Sequence, residues 1–258
     1  MRTSSLEAAK GIVDGDEELL VIGLQEVSNS EQYGVADNSW LRCTLNAVLE
    51  KTKFTLVGRT FQGTNLLLIF AQFRILQHIG RIQYRYSRNT LGGLTGHKGS
   101  IGVMVTLSNK RSLVWTLSHF VHDTAQAAFW LGDLNFRVEG DPNAVVRDIN
   151  AGKIEEVLSR DQLTTVRKAG RAFTDYEEPG IRFAPTYRLI VGTSQFDTKR
   201  TPSWCDRILY KGAVTCSEYS SLLSVTFSDH LPVRGLYSLS LPSLAHVDWR
   251  MTVRPLPT

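Results

Sequence analysis

The stretch Phe129-Trp-Leu-Gly-Asp-Leu-Asn-Phe-Arg-Val138 begins as a buried strand and changes character halfway along. Its first three residues are aromatic or apolar, which favours a strand covered on both faces. Gly132 then allows close approach of another part of the chain. Asp133 and Asn135 are two residues apart, so in an extended chain their side chains point to the same side. Together they can orient a water molecule, a metal ion or a phosphate, although Asp and Asn also favour a plain turn.

Polar side chains follow or precede several other buried strand patterns. The apolar run 19–22 leads to Glu26, the run 112–117 leads to His119, and Asp229 and His230 open the closing strand pattern. Gathered at one edge, these groups would need a partner for their charge, which a divalent cation supplies. Magnesium suits oxygen ligands, and no cysteine or histidine cluster has zinc spacing. The candidate site residues are Glu26, His119, Asp133, Asn135, Asp229 and His230.

Length and composition place the chain among single-domain soluble proteins. It has 258 residues, of which 42% are hydrophobic and 21% charged, with no apolar run of membrane-spanning length. The first ten residues lack the apolar core of a signal peptide. Cys43, Cys205 and Cys216 show neither zinc nor disulfide spacing. These features predict a protein of the reducing cytoplasm.

The net charge of +4 is unevenly distributed. No acidic residue lies between Glu50 and Asp123, whereas ten lysines and arginines do. Such a segment favours an anionic partner, namely phosphates, an acidic lipid surface or nucleic acid, although it can also be a plain solvated face.

Many short strands with few helices predict two packed sheets flanked by helices. We expect a loose N-terminal segment at 1–18, one domain over 19–241 and a C-terminal tail at 242–258. The sequence contains no internal repeat and no domain linker.

The Gly132–Arg137 motif, Gly-Asp-Leu-Asn-Phe-Arg, resembles that of the magnesium-dependent inositol polyphosphate 5-phosphatases. This family belongs to the endonuclease/exonuclease/phosphatase superfamily. The resemblance implies a deoxyribonuclease-like four-layer α/β sandwich. It also implies hydrolysis of the 5-phosphate of phosphoinositides or inositol polyphosphates. The other stretches that agree in kind and order are Gly23–Val27, Ser118–Phe120, Phe183–Arg188, Thr201–Leu209 and Ser228–Val233.

The resemblance assigns catalytic roles to the candidate residues. Glu26 is the expected Mg²⁺ ligand, and Asp133 is the expected general base, with Asn135 orienting water or phosphate. His119 and His230 are expected to donate to the scissile phosphate. Asp229 is expected to hold His230, as a carboxylate fixes a histidine in hydrolytic triads.

It also assigns the recognition of neighbouring phosphates. Tyr187, Arg188, Lys199 and Arg200 are expected to bind the 4-phosphate, and His97 and Lys98 to approach the 1-phosphate. Asp206 and Arg207 are expected to form an internal ion pair that shapes the site.

The sequence departs from the family pattern in three ways. No strand ending in a metal-binding asparagine precedes Leu19. Only nine residues separate Phe120 from Trp130, which is too short for a crossover helix and predicts an exposed sheet face. His97 replaces an asparagine, and Lys199 and Arg200 are adjacent where the family has a spacer. The predicted fold is therefore the sandwich without its first strand and one crossover helix.

Three functions remain open at this point. The favoured one is a 5-phosphatase that acts on a phosphoinositide or inositol phosphate, peripherally at an acidic membrane surface on the cytosolic face. A nuclease or sphingomyelinase of the same superfamily is the second, and a catalytically impaired phosphoinositide-binding remnant is the third. No nucleic-acid partner is expected from the favoured reading, and the sequence leaves the oligomeric state open.

Overall fold

The computed structural model describes residues 17–27, 45–46, 48–49, 53–88, 99–117, 125–239 and 249–256. The helices within these residues are a 3₁₀ helix at Phe73–His78, α1 (Pro142–Asn150), α2 (Ile154–Leu158) and α3 (Gln162–Lys168), besides helical residues at 45–46 and 48–49. The strands are β1 (Leu19–Leu24), β2 (Phe54–Gln62), β3 (Asn65–Gln72), β4 (Ile79–Arg88), β5 (Gly99–Leu107), β6 (Ser112–Leu117), β7 (Ala127–Asp133), β8 (Asp206–Gly212), β9 (Val214–Ser221), β10 (Val233–Leu239) and β11 (Trp249–Leu256).

These strands form two packed sheets, in the orders β2-β3-β1-β11-β10-β9 and β4-β5-β6-β7-β8. The continuous apolar sequence of β1 is explained by burial on both faces. Leu19 and Val21 join the core between the sheets, whereas Leu20 and Ile22 join a second core that includes Val48 of the helical segment. The predicted arrangement of two sheets flanked by helices is confirmed.

The outer face of the second sheet is covered where β6 and β7 lie side by side. These strands run parallel, and residues 118–124 of the short link between them lie outside the described residues. Val114, Ala128 and Trp130 are nevertheless only 2%, 1% and 7% exposed. They pack with Leu163 of α3 and with Tyr176. The predicted exposed face is therefore wrong here, because helices that follow β7 cover it.

The first sheet contains a strand in a stretch that we predicted to be a tail. Trp249–Leu256 forms β11, which pairs in parallel with β1 and antiparallel with β10. Because β3 pairs with its other side, β1 is an internal strand of this sheet. The alternation of Trp249, Met251 and Val253 with polar residues is the period-two signal of this strand. The predicted loose segment 1–18 lies outside the described residues, except for Glu17 and Glu18.

We expect Val253→Pro to destabilise the protein, because Val253 pairs with both Val21 and Gly235 and proline cannot donate to a ladder. A backbone carbonyl left unpaired costs about 1–3 kcal/mol. The melting temperature of a protein of this size falls by roughly 2–4 °C for each kcal/mol. The measurement is thermal unfolding, with Val253→Thr as the control that keeps the N–H group. Equal melting temperatures for the two variants would contradict an internal position for β11.

Candidate active site

The polar ends of strands from both sheets meet at one edge of the sandwich. Asp133, the last residue of β7, is the ladder partner of Asp206, the first residue of β8. Glu26 follows β1 at the edge where β10 begins, and His230 precedes β10. Gln25 joins the two sheets, because its Oε1 accepts a hydrogen bond from the backbone N–H of Asp133. Asp133 and His230 are therefore close enough to interact, and Glu26 follows a strand that ends at the same edge.

Glycine is required at position 132 for this approach. The residue has a φ of +116°, and a Cβ atom there would lie 2.8 Å from Leu117 Cδ1 and also against Gln25 Oε1. The predicted close approach at this glycine is confirmed, and the approaching group is the Gln25 side chain.

Asp133 and Asn135 form a compact turn. The backbone N–H of Asn135 donates to Asp133 Oδ1 at 2.8 Å. Asn135 has a φ of +57°, a left-handed conformation that asparagine tolerates better than most residues. Its own Oδ1 accepts from Arg137 Nη2 at 3.1 Å. The turn expected of an Asp and Asn pair is therefore present, and it fixes the carboxylate at the strand end.

The pKa of Asp133 is raised above its ordinary value. Burial of the carboxyl is the main cause, and the negative charge of Asp206 adds to it. His230, the backbone N–H of Asn135 and Arg137 oppose the rise. A carboxylate with a raised pKa is a better proton acceptor than a surface aspartate, as a general base requires.

Asp206 holds the imidazole of His230. Its Oδ2 lies 2.8 Å from His230 Nδ1 and accepts a hydrogen bond from Thr186 Oγ1 at 2.7 Å. Burial alone would lower the pKa of His230. The charge of Asp206 and its hydrogen bond, with smaller contributions from Asp133 and Asp229, raise that pKa to about 9. The ring is therefore an imidazolium at neutral pH and has a second N–H group to donate.

Two predicted pairings at this site are wrong. Asp229 does not hold His230; its Oδ2 lies 3.7 Å from Arg188 Nε instead. Asp206 does not pair with Arg207, whose guanidinium reaches other carboxylates. Asp206 and Arg207 are consecutive residues of a strand, where successive side chains point to opposite sides, whereas Asp229 lies in a bend just before His230.

Arg207 lies at the centre of a buried ion-pair network. Its Nε and Nη2 are 2.6 and 2.7 Å from the two carboxylate oxygens of Glu178, and its Nη1 is 3.0 Å from Asp161 Oδ2. The side chain is only 1% exposed. Tyr219 also donates to Glu178, at 3.2 Å. The network anchors the strand that carries Asp206.

The segment around Tyr187 is paired on both sides. The backbone of Tyr187 exchanges hydrogen bonds with Ser203, at 3.2 and 2.7 Å, and the N–H of Leu231 donates to Thr186 O at 2.9 Å. The Tyr187 ring lies 4.4 Å from that of His230, and the guanidinium of Arg137 lies 4.3 Å from its centre on the ring face. Tyr187 thus lies beside His230, and its role in binding the 4-phosphate stays a prediction.

Beside this edge is a cavity of about 480 Å³ that contains two of the predicted phosphate-binding cations, Arg188 and Lys199. Arg188 Nε lies 3.1 Å from Asp197 Oδ2, and Asp197 Oδ1 accepts from the backbone N–H of Lys199 at 3.1 Å. Asp197 therefore connects the Arg188 side chain with the backbone at Lys199. Arg200 follows Lys199 and is exposed. The full lining is Arg188, Leu189, Ile190, Val191, Asp197, Lys199 and Asp229.

Three predicted site residues, His97, Lys98 and His119, lie outside the described residues. Sequence reasoning missed the roles of Asp206, Thr186, Gln25 and Arg137. All four belong to the motif stretches of the sequence. Their roles depend on which side chains of each stretch point towards the site, which the motifs do not state.

The donors for a metal ion at this edge are few. Within the part of the chain that the structure describes, no three His, Cys, Asp or Glu side chains cluster so as to hold a metal ion. Glu26 is exposed and has a left-handed φ of +61° at the end of β1, beside the Gln25 that contacts Asp133. A hard cation that takes one carboxylate, with water and substrate phosphate as its other ligands, is compatible with this donor set.

The chain matches a known protein family and is similar in sequence to known proteins. The profile of Endonuclease/Exonuclease/phosphatase family 2 matches residues 3–127 and 121–236. Phosphatidylinositol 4,5-bisphosphate 5-phosphatase A from Homo sapiens is 28% identical over 290 residues, which cover 92% of this chain and 29% of that protein. The chain thus spans less than a third of the length of that relative.

Two solved structures share the fold. The inositol polyphosphate 5-phosphatase domain of SPsynaptojanin, in complex with inositol (1,4)-bisphosphate and calcium ion, has a TM-score of 0.73 at 22% identity, covering 93% of this chain and 76% of its own. A Cimex nitrophorin mutant in its ferrous NO complex has a TM-score of 0.72 at 22% identity, covering 84% of this chain and 85% of its own. The predicted four-layer α/β sandwich is confirmed. Because proteins of such different kinds share it, the fold does not decide the function.

No described helix combines the length and apolarity that crossing a membrane requires.

We expect Asp206→Asn to lower the pKa of His230 from about 9 towards or below its ordinary value of 6.5, because burial remains while the main opposing charge is removed. In the parent protein the imidazolium persists below pH 9 and is lost as the pH rises through that value. The measurement is an NMR titration of the His230 ring, which does not depend on activity. Asp229→Asn is the control and should lower the pKa less. A larger effect of Asp229→Asn would contradict the assignment of Asp206 as the partner.

Proposed function

Because the chain belongs to Endonuclease/Exonuclease/phosphatase family 2, we propose that it hydrolyses the 5-phosphate of phosphoinositides or inositol polyphosphates. The observation that carries the proposal is the interaction of Asp133 with His230 at the site edge. A carboxylate of raised pKa, Asp133, and a histidine of raised pKa, His230, both interact with Asp206. The name of the human relative, a phosphatidylinositol 4,5-bisphosphate 5-phosphatase, supports the same substrate class.

Asp133 and His230 have complementary roles in phosphate ester hydrolysis, the first as proton acceptor and the second as hydrogen-bond donor. Asp133 takes the proton of the attacking water, for which its raised pKa is suited. Asn135 orients that water or a phosphate oxygen from the adjoining turn. His230 keeps its proton and donates to the scissile phosphate, where negative charge must be stabilised in the transition state. His119 serves as the second donor in this proposal.

The cofactor in this proposal is Mg²⁺, with Glu26 as its protein ligand. The ion would neutralise charge on the scissile phosphate when bound. Magnesium keeps several waters and is commonly held by one or two carboxylates with substrate phosphate oxygens, so a single exposed glutamate is sufficient on the protein side.

The neighbouring cavity provides recognition of the 4-phosphate. Arg188 and Lys199 line it, and Tyr187 and Arg200 adjoin these two residues along the chain. In the part of the chain that the structure describes, the Lys199 and Arg200 side chains form no ion pair, so their charge is available to a ligand, whereas Arg188 is shared with Asp197 and Asp229. His97 and Lys98 complete the proposal as contacts to the 1-phosphate. The basic segment between Glu50 and Asp123 supports action at an acidic membrane surface, peripherally and on the cytosolic face.

The same basic segment is the observation that favours the second candidate, a nuclease of the superfamily. One assay separates the candidates: phosphate release from phosphatidylinositol 4,5-bisphosphate and inositol 1,4,5-trisphosphate, and cleavage of an abasic duplex, each with and without Mg²⁺. Magnesium-dependent release from the inositol substrates supports the proposal. Duplex cleavage alone would replace it with the nuclease. Substrate binding without turnover would replace it with a non-catalytic binding protein.

Asp133→Asn should reduce turnover by roughly 2–4 orders of magnitude while leaving substrate binding nearly unchanged. The amide keeps the shape of the carboxylate and its contacts with the turn, but it cannot take a proton. The measurements are the turnover number and, separately, the dissociation constant of an inositol phosphate. A variant with the parental rate would show that Asp133 is not the base.

Lys199→Ala should weaken the processing of substrates that carry a 4-phosphate more than of those that lack it. A charged hydrogen bond removed from such a site costs about 1.5–3 kcal/mol. The measurement is kcat/KM for phosphatidylinositol 4,5-bisphosphate and 3,5-bisphosphate. The control is Lys168→Ala, since Lys168 is an exposed lysine at the end of α3. Equal losses on both substrates would contradict the role of Lys199.

A further inference from the structure

Two adjoining turns beside the cavity carry large apolar side chains on their surface. Ile190 and Val191 are 47% and 59% exposed, and Leu223 on the second turn is 65% exposed. The turns are joined where the N–H of Gly192 donates to Thr226 O at 2.6 Å. We call Ile190, Val191 and Leu223 the apolar rim.

The apolar rim is held in place by backbone hydrogen bonds. The N–H of Ile190 donates to Gln195 O at 2.9 Å, and the N–H of Thr193 donates back to Ile190 O at 3.0 Å. Leu189 is tied to Asp229 O at 2.9 Å. An ordered turn that presents apolar side chains to solvent marks an interaction surface rather than a frayed end.

Charged side chains line the cavity beside the apolar rim, and the carboxylates Asp197 and Asp229 are paired there with Arg188. Arg188 and Lys199 line the cavity together with Ile190 and Val191, and Arg200 follows as an exposed residue. Apolar side chains flanked by lysine and arginine match the boundary between acyl chains and acidic headgroups, where each basic residue near the surface adds attraction.

The position of the rim limits what can cover it. Ile190 and Val191 are themselves part of the cavity wall, so a protein seated on them would lie across the cavity mouth. A bilayer into which these two side chains insert would instead place its own headgroups at the cavity mouth.

We propose that the apolar rim inserts into an acidic phospholipid bilayer, so that the catalytic edge works on inositol headgroups still embedded in the membrane. This inference rests on the proposed function for the identity of the substrate, and it adds that lipid, rather than a free inositol phosphate, is the substrate that the protein favours. The surface contact itself requires only the apolar and basic residues named above.

The test compares the full chain with the variant Leu223→Ser, because Leu223 is the rim residue that does not line the cavity. Sedimentation is measured with vesicles of phosphatidylcholine alone and with added phosphatidylserine. Phosphate release is measured from phosphatidylinositol 4,5-bisphosphate in the acidic vesicles and from soluble inositol 1,4,5-trisphosphate. The matched control is Phe73→Ser, because Phe73 is 62% exposed and follows β3 at the end of the sheet opposite to Glu26.

The expected result is a fall of about tenfold or more in the ratio of the vesicle rate to the soluble rate, with a parallel loss of sedimentation with acidic vesicles. Phe73→Ser should keep the parental ratio. Equal losses on both substrates, or no loss on either, would overturn the inference while the proposed function stands.

Sedimentation decides the inference even if the parent protein releases no phosphate from either substrate, in which case the proposed function fails. Loss of acidic-vesicle binding in the Leu223→Ser variant would still support the apolar rim as a membrane contact. Unchanged binding, or equal binding of the parent to neutral vesicles, would overturn it.

Discussion

The hydrogen-bonded contact between Asp206 and His230 is the interaction on which the candidate site depends. Asp206 begins a strand of the second sheet, and His230 lies shortly before a strand of the first. The contact therefore exists only when the two sheets are packed. It also sets the charges of the site, because Asp206 raises the pKa of both His230 and Asp133. One carboxylate thus keeps His230 charged and makes Asp133 more basic, as the proton donor and acceptor of the proposed reaction require.

The position of Asp206 is fixed from the opposite face of its strand. Arg207 points away from the site and forms the buried fork with Glu178 and Asp161. Removing one partner from a buried ion pair generally costs about 3–5 kcal/mol, because the remaining charge stays buried without compensation. The fork therefore holds β8 strongly in one register. On the site side, Thr186 donates to the same Asp206 oxygen that contacts His230. Asp206, which faces the candidate site, and Arg207, which faces the buried ion-pair network, are thus consecutive residues of one strand.

The shared fold and the individual site contribute separately to the function. The sandwich is also found in a nitrophorin, so the scaffold itself does not select a chemistry. In this chain the features that bear on function are the polar groups at one sheet edge and the cavity next to them, which both cations and carboxylates line. The exposed apolar turns adjoin that cavity, which places the proposed membrane contact and the proposed phosphate recognition on one surface. A substrate held at a lipid surface would meet all three features from the same side.

The sequence by itself determined the strands with buried apolar runs, the polar residues that end them and, through its ordered motifs, the superfamily. Those features are local: β1 and β7 are apolar along their length, and Asp133 follows within the same stretch. Only the tertiary structure decided which carboxylate meets His230, which carboxylates surround Arg207, and that Trp249–Leu256 lies beside β1. Only the tertiary structure also decided that Leu163 and Tyr176 cover Trp130. In each case the partners are distant in the chain, and local periodicity carries no information about which distant segment will lie alongside.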